Sequence, residues 1–206
     1  RVGIIDLTDG EPTPHSPGPH VRLAEARRAA EVLGVPWRRT LDLPNRRLLD
    51  TFEARVALAR QLRQTRPKLV LALGNKTPQA SPDHYQAMLL CEAAVFYSRL
   101  SKWDEHFEDL EPHAVSRLLY YRLDLHSLGP VEPDRIVVDI GPQLERKLAA
   151  IRCYQTQFPP SKQHLFARLR AFNQQQGMAA GFEAGEVFTS PAPVGTGDLM
   201  GLLFGP

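Results

Sequence analysis

The chain has 206 residues, 43% hydrophobic and 23% charged, with a formal net charge of +2. That length suits one large domain with a real core, and the arginines are scattered along amphipathic segments, so no strong field recruits nucleic acid. No apolar run approaches the roughly 20 residues of a membrane span, no signal peptide opens the chain, and no linker or internal repeat divides it.

Val2 to Leu7 is a short apolar run that ends in a Gly/Pro-rich loop, Thr8 to Pro19, and reads as a buried parallel strand. Val21 to Leu33 places Leu23, Ala26, Ala30 and Leu33 on one helical face, and Gly34 is a natural stop. Val35 to Leu41 predicts a second short strand, and Leu43-Pro44-Asn45-Arg46 a turn. Thr51 to Gln64 is the next helix, with Phe52, Val56, Ala59 and Leu62 at helical spacing. Lys68 to Leu73 is the most strand-like run. A loop, Asn75 to Pro82, precedes a helix over Asp83 to Leu100.

The second half is less regular. Val115 to Leu125 and Arg135 to Ile140 predict strands, Pro142 to Gln155 and Ser161 to Ala180 helices, and Phe182 to Thr189 a last strand. Residues 190–206 are Gly/Pro-rich and read as a loosely ordered tail. The alternation in the first half predicts an α/β fold: a doubly wound, mostly parallel sheet with helices on both faces. Ligands of such sheets bind at the carboxyl ends of the strands. That directs attention to the loops Thr8 to Pro19, Leu43 to Arg47 and Gly74 to Pro82.

Cys91 and Cys153 lie in helix-like apolar stretches with no Cys-x-x-Cys spacing. They read as reduced, buried thiols of a cytoplasmic protein. Ser81-Pro82-Asp83-His84 follows the strongest strand and opens a helix. Its spacing leaves two readings open. Pro82 and Asp83 are ordinary helix-start residues, and a histidine on the first turn at a sheet's carboxyl edge also faces a cleft. His126, at the end of a predicted strand, is a surface histidine or a cleft residue. Trp103, Tyr97 and Phe96 read as core or interface rather than as a stacking platform.

Read in order, the motifs resemble those of the LmbE-like (PIG-L) zinc-dependent N-deacetylases, closest to the bacillithiol-biosynthesis branch. Asp6-Leu7-Thr8-Asp9-Gly10-Glu11 is similar to the family's Asp-Leu-Thr-x-Gly-Glu, followed by a Gly/Pro loop and Arg22. Leu33-Gly34, Leu43-Pro44-Asn45, Arg66-Pro67 and Pro82-Asp83-His84 follow in family order. Late in the chain come Tyr154-Gln155-Thr156-Gln157-Phe158 and Glu186-Val187-Phe188.

The resemblance implies one zinc ion, with His84 as a ligand, and an N-acetylglucosamine-type sugar conjugate as substrate. It implies Asp83 and Ser81 at the reacting end, and Glu11, Arg22, Asn45, Tyr154 and Gln157 facing the substrate. Arg22 would grip a hydroxyl or carboxylate with its planar fork. It further implies a cytoplasmic homo-oligomer. The family's other two zinc ligands and its general base come from an N-terminal His-Pro-Asp-Asp motif that does not occur in these residues. The opening at Arg1, inside a strand, leads us to expect a truncated N-terminus that lacks a first strand and its helix, about 20–30 residues. The family's His-Pro-Asp-His also has Ser81 in place of its first histidine, and a hydroxyl donates hydrogen bonds but is a poor proton donor near neutrality. The alternatives are a catalytically inactive sugar- or metabolite-binding relative, or an oligomer-forming structural remnant.

Overall fold

The structure, a computed structural model, describes residues 1–77, 80–123 and 135–204. Six strands are seen among them: β1 (Gly3–Asp6), β2 (Trp37–Thr40), β3 (Leu69–Leu73), β4 (Arg117–Tyr121), β5 (Arg135–Asp139) and β6 (Gly185–Thr189). The helices are α1 (Pro19–Leu33), α2 (Phe52–Thr65), α3 (Pro82–Ser98), α4 (Asp104–Phe107), α5 (Leu144–Arg152), α6 (His164–Met178) and α7 (Leu199–Phe204). Local chemistry explains the helix ends. Gly34 closes α1 in the left-handed conformation, with φ 69°, where a Cβ is costly. The Thr51 hydroxyl accepts from the Ala54 N–H to cap α2, and Pro82 opens α3 where no N–H is needed.

The strands form two sheets. β1 pairs with β2 in parallel, Gly3 opposite Trp37. The second sheet has the order β3-β4-β6-β5. β3 and β4 are parallel, Leu69 opposite Arg117, but β6 runs antiparallel to both β4 and β5. The expected mostly parallel, doubly wound sheet is therefore corrected to a mixed arrangement. The cause is the connection: two helices, α5 and α6, link β5 to β6. A single crossover helix returns the chain to the end where a parallel strand starts. A second helix carries it back to the opposite end, so β6 enters reversed.

Among the described residues, most of the buried apolar side chains fall into two clusters. One gathers Leu58 and Leu62 of α2, Leu90 and Ala94 of α3 and Phe107 of α4, with Ile5 and Val70 packed against it. The other joins Leu144 and Leu148 of α5, Phe166 of α6, Ile140 and Ala184. Between β1 and β3 the sheet is interrupted. The two strands belong to different sheets, and Leu69 and Leu71 of β3 are 46% and 49% exposed. The 190–206 segment expected to be loose contains α7, whose apolar residues point to solvent. The two cysteines are free thiols, half-buried rather than buried.

Candidate active site

Three loops, those after β1, β2 and β3, are fastened to one another by side chains. Asn45 holds the first two: its Nδ2 donates to the Glu11 carbonyl at 2.9 Å, and its Oδ1 accepts from the Thr8 hydroxyl at 3.2 Å. The first turn of α3 holds the second and third. Asp83 Oδ2 accepts the Arg46 N–H at 2.6 Å, where Arg46 turns with φ 65°, and Gln86 Oε1 accepts the Asp50 N–H at 2.9 Å. The Ser81 hydroxyl accepts the Asp83 N–H at 3.3 Å and caps the helix. Both readings of Ser81 to His84 therefore hold a part: these residues start a helix, and the same helix start lines a cavity.

That cavity has a volume of about 1250 Å³. Arg22, Asn45, Ser81, Asp83, His84 and Tyr154 are on its wall. Glu11 is not; it lines a smaller adjoining hollow of about 520 Å³ that shares Asp9 and Asn45 with the first. Gln157 lines neither, and its side-chain amide donates to the Thr156 hydroxyl at 3.4 Å. His126 lies outside the described residues.

Two polar atoms on this wall are buried with no hydrogen-bond partner among the described residues: His84 Nδ1 and Arg22 Nε. Buried polar atoms are normally satisfied, so each requires an explanation. Arg22 Nε lies 3.9 Å from a Glu11 carboxylate oxygen, beyond hydrogen-bond reach. The guanidinium sits 5.2 Å from the Tyr154 ring centroid, and Arg38 flanks the same ring at 6.0 Å. Gly10, at φ +80°, lies close over the Arg22 fork, where a Cβ would come within 3.1 Å of Nη2.

Sequence reasoning missed the residues behind Arg22. Glu25 is 1% exposed and accepts from three donors: the Thr156 N–H at 2.7 Å, the Thr156 hydroxyl at 2.6 Å and Arg22 Nη1 at 2.9 Å. Burial pushes its carboxyl up, but the bonds from Thr156 and Arg22 outweigh burial and hold it below the usual glutamate range. The signal available in sequence was the Arg22-x-x-Glu25 spacing, which puts both on one helix face. Asp6 and Arg38, also on the cavity wall, form a two-pronged ion pair at 2.6 and 2.7 Å, and Arg38 Nη1 donates to the Ala26 carbonyl at 2.8 Å. This pair ties β1, β2 and α1 together.

The cavity also extends along the sheet interruption. Its wall includes Val2, Gly3, Ile5, Asp6 and Leu7 on one side and every residue from Lys68 to Leu73 on the other. Alternate residues would line it if a sheet face were presented; consecutive residues mean that the edge of β3 faces the space. Among the described residues no three His, Cys, Asp or Glu side chains stand close enough together to hold a metal ion. His84 brings an imidazole to this wall.

Comparison with known proteins agrees with this placement of motifs. A family model described as GlcNAc-PI de-N-acetylase, PIG-L, matches residues 1–95. Diacetylchitobiose deacetylase of Thermococcus kodakarensis is 31% identical over 160 residues, 76% of this chain, and the match spans 57% of that relative's length. Among solved structures, a conserved protein of Thermus thermophilus superposes with a TM-score of 0.81 at 31% identity, over 96% of this chain and 84% of that one. The N,N'-diacetylchitobiose deacetylase of Pyrococcus horikoshii, in complex with its inhibitor, gives 0.77 at 27% identity, over 90% and 71%. A family model across the loops that build the site, and a solved relative matched over nearly the whole fold, lead to one statement: the chain belongs to the PIG-L family of GlcNAc-PI de-N-acetylases.

Proposed function

We propose that the complete protein uses one zinc ion to hydrolyse the N-acetyl group of an N-acetylglucosamine-type sugar conjugate. The observation that carries the reading is the pair of unpartnered atoms, His84 Nδ1 and Arg22 Nε, on one cavity wall. A neutral imidazole nitrogen with no protein partner suits a zinc ligand, and an unpartnered guanidinium N–H suits a substrate oxygen. The relatives named as chitobiose deacetylases support the substrate class.

Water adds across the amide: the C–N bond breaks, the nitrogen takes a proton and acetate leaves. Zinc, when bound, polarises the carbonyl and lowers the pKa of water. This chain's residues bind and orient. Arg22 takes a sugar oxygen, with Tyr154 stacked beside it. Asn45 and Asp83 keep the loops in register, and in this reading the Ser81 hydroxyl donates to the carbonyl oxygen as charge develops on it.

The same reading assigns the space between β1 and β3 to an extended segment preceding Arg1. A strand there would hydrogen-bond to both edges and join the two sheets. It would meet Leu23 and Ala26 of α1, Leu58 and Leu62 of α2, and Ala87 and Cys91 of α3, all on the cavity wall. We therefore expect it to be apolar throughout, as strands covered on both faces are, and to deliver the remaining zinc donors at its end.

The test compares the 206 residues with a protein extended by its natural upstream sequence. Zinc per chain is measured by elemental analysis, beside acetate release from an N-acetylglucosaminyl substrate. The longer protein should hold one zinc and turn over, and His84→Ala should abolish both. Full zinc occupancy in the 206 residues alone would show that the ligands are misplaced.

A further inference from the structure

We infer that Glu25 is a positioning residue: by bonding Arg22 and Thr156 at once, it holds the free edge of the Arg22 guanidinium toward the cavity. It rests on the proposed function only for the nature of the ligand.

Glu25 sits on the buried side of α1, one turn after Arg22, and its two oxygens are fully used. Oε1 accepts the Thr156 N–H, while Oε2 accepts both the Thr156 hydroxyl and Arg22 Nη1. Arg22 Nη1 also reaches the Thr156 hydroxyl at 3.4 Å. One corner of the guanidinium is thereby anchored at Nη1, and the edge formed by Nε and Nη2 is left over. Gly10 lies beside that edge, Nε has no hydrogen-bond partner among the described residues although a Glu11 carboxylate oxygen stands 3.9 Å away, and Arg22 is on the cavity wall.

A flexible arginine loses rotamer freedom when it grips a ligand. An arginine already fixed at Nη1 has lost that freedom before the ligand arrives, which is preorganisation. Thr156 follows Tyr154 by two positions, so the same carboxylate also fixes the segment that stacks on Arg22. The ligand class suited to this edge is a pair of oxygens about one guanidinium edge apart, and the Glu11 carboxylate beside Nε favours neighbouring hydroxyls of a sugar over a second carboxylate.

Glu25→Gln separates positioning from packing. The glutamine oxygen still accepts the Thr156 N–H, and its amide can donate to the Thr156 hydroxyl, reversing the bond that the carboxylate accepted. Facing Arg22 Nη1, however, a donor now meets a donor. In the 206-residue chain, 15N relaxation of the Arg22 Nε–H and hydrogen exchange of the Thr156 amide report the two arms without any ligand. We expect an ordered Arg22 Nε–H in the wild type and a mobile one in Glu25→Gln, with the Thr156 amide still protected. Thr156→Ala, which keeps the Glu25–Arg22 bond, should leave Arg22 ordered. N-acetylglucosamine titrated by NMR should bind about tenfold more weakly to Glu25→Gln, and Arg22→Ala should gain no further loss when combined with it. An Arg22 Nε–H that stays ordered in Glu25→Gln overturns the proposal. A wild type that ignores N-acetylglucosamine while Arg22 loosens in Glu25→Gln upholds the positioning role and refutes the sugar reading instead.

Discussion

Arg63, near the end of α2, is 4% exposed and carries its charge into the protein with no carboxylate bonded to it among the described residues. Its Nε donates to the Ser98 carbonyl at 3.1 Å and its Nη1 to the Leu110 carbonyl at 2.6 Å, while Nη2 donates to Leu100. The guanidinium also lies 3.6 Å from the Phe107 ring centroid. Burial pushes its pKa below the ordinary arginine value, against the attraction of Asp104 and Glu111. Arg63→Met keeps the stem and strands three carbonyls. Each charged hydrogen bond contributes about 1.5–3 kcal/mol, but the three share one cation, and methionine is relieved of burying a charge. We expect a net loss of about 3–5 kcal/mol, since each buried carbonyl left without its donor costs about 1–3 kcal/mol. For a chain of this size that is a drop of about 6–20 °C in Tm. Arg63→Lys should recover part of it, since one ammonium cannot reach three divergent carbonyls. Urea unfolding followed by tryptophan fluorescence is the assay: Trp103 sits in the aromatic cluster with Phe107, Tyr97 and Phe52, and Trp37 reports from β2. A loss below about 1 kcal/mol for Arg63→Met would refute the argument that these carbonyls depend on the guanidinium.

Gly177→Ala should destabilise the protein by about 1–3 kcal/mol in urea unfolding, because its Cβ would meet the Ala184 backbone carbonyl carbon at 2.4 Å. Glu25 has a depressed pKa, so its contribution is complete above the ordinary glutamate pKa of about 4.3 and is lost as pH falls through the folded value. The stability difference between wild type and Glu25→Gln, measured by denaturant unfolding across pH, should accordingly shrink on the acid side and be constant near neutrality. The Cys91 thiol is pushed up to about 12, by burial first and by the Glu92 charge second. Cys91 lines the cavity and is open to a reagent there, but little of it is thiolate at pH 8, so it should alkylate more slowly in the folded chain than after urea unfolds it, as mass spectrometry of the labelled peptide would show.

The first half of the fold was legible because its boundaries are written in local chemistry. Gly34, Thr51 and Pro82 each mark a helix end by a backbone or capping preference, and the predicted elements there agree with the observed ones to within about two residues. The direction of β6 was not legible. It depends on two helices rather than one lying between β5 and β6, and no residue of Gly185–Thr189 encodes which neighbour it meets. The four-residue α4 was missed because a single turn has too little periodicity to register. At the site, the ordered motifs pointed to Arg22, Asn45, His84 and Tyr154, which the fold places around one cavity. Glu25 escaped because a charged helix residue reads as a solvated one. Only a partner 131 positions away makes its burial tolerable.

That separation has a consequence for how the protein comes into being. The Glu25–Thr156 bond spans 131 positions, and α1 packs on α5, so a wall of the pocket is built from distant stretches of the chain. On a ribosome releasing residues from the N-terminus onward, α1 emerges long before its partner. Until Thr156 arrives, Glu25 has only Arg22 of its own helix to bond on the face destined for the interior, so α1 should dock late. The family model ends at residue 95, well short of Tyr154 and Thr156. A substitution at Tyr154, whose ring lies beside the Arg22 guanidinium, thus has a direct route to Arg22 while the start of α3 stays untouched.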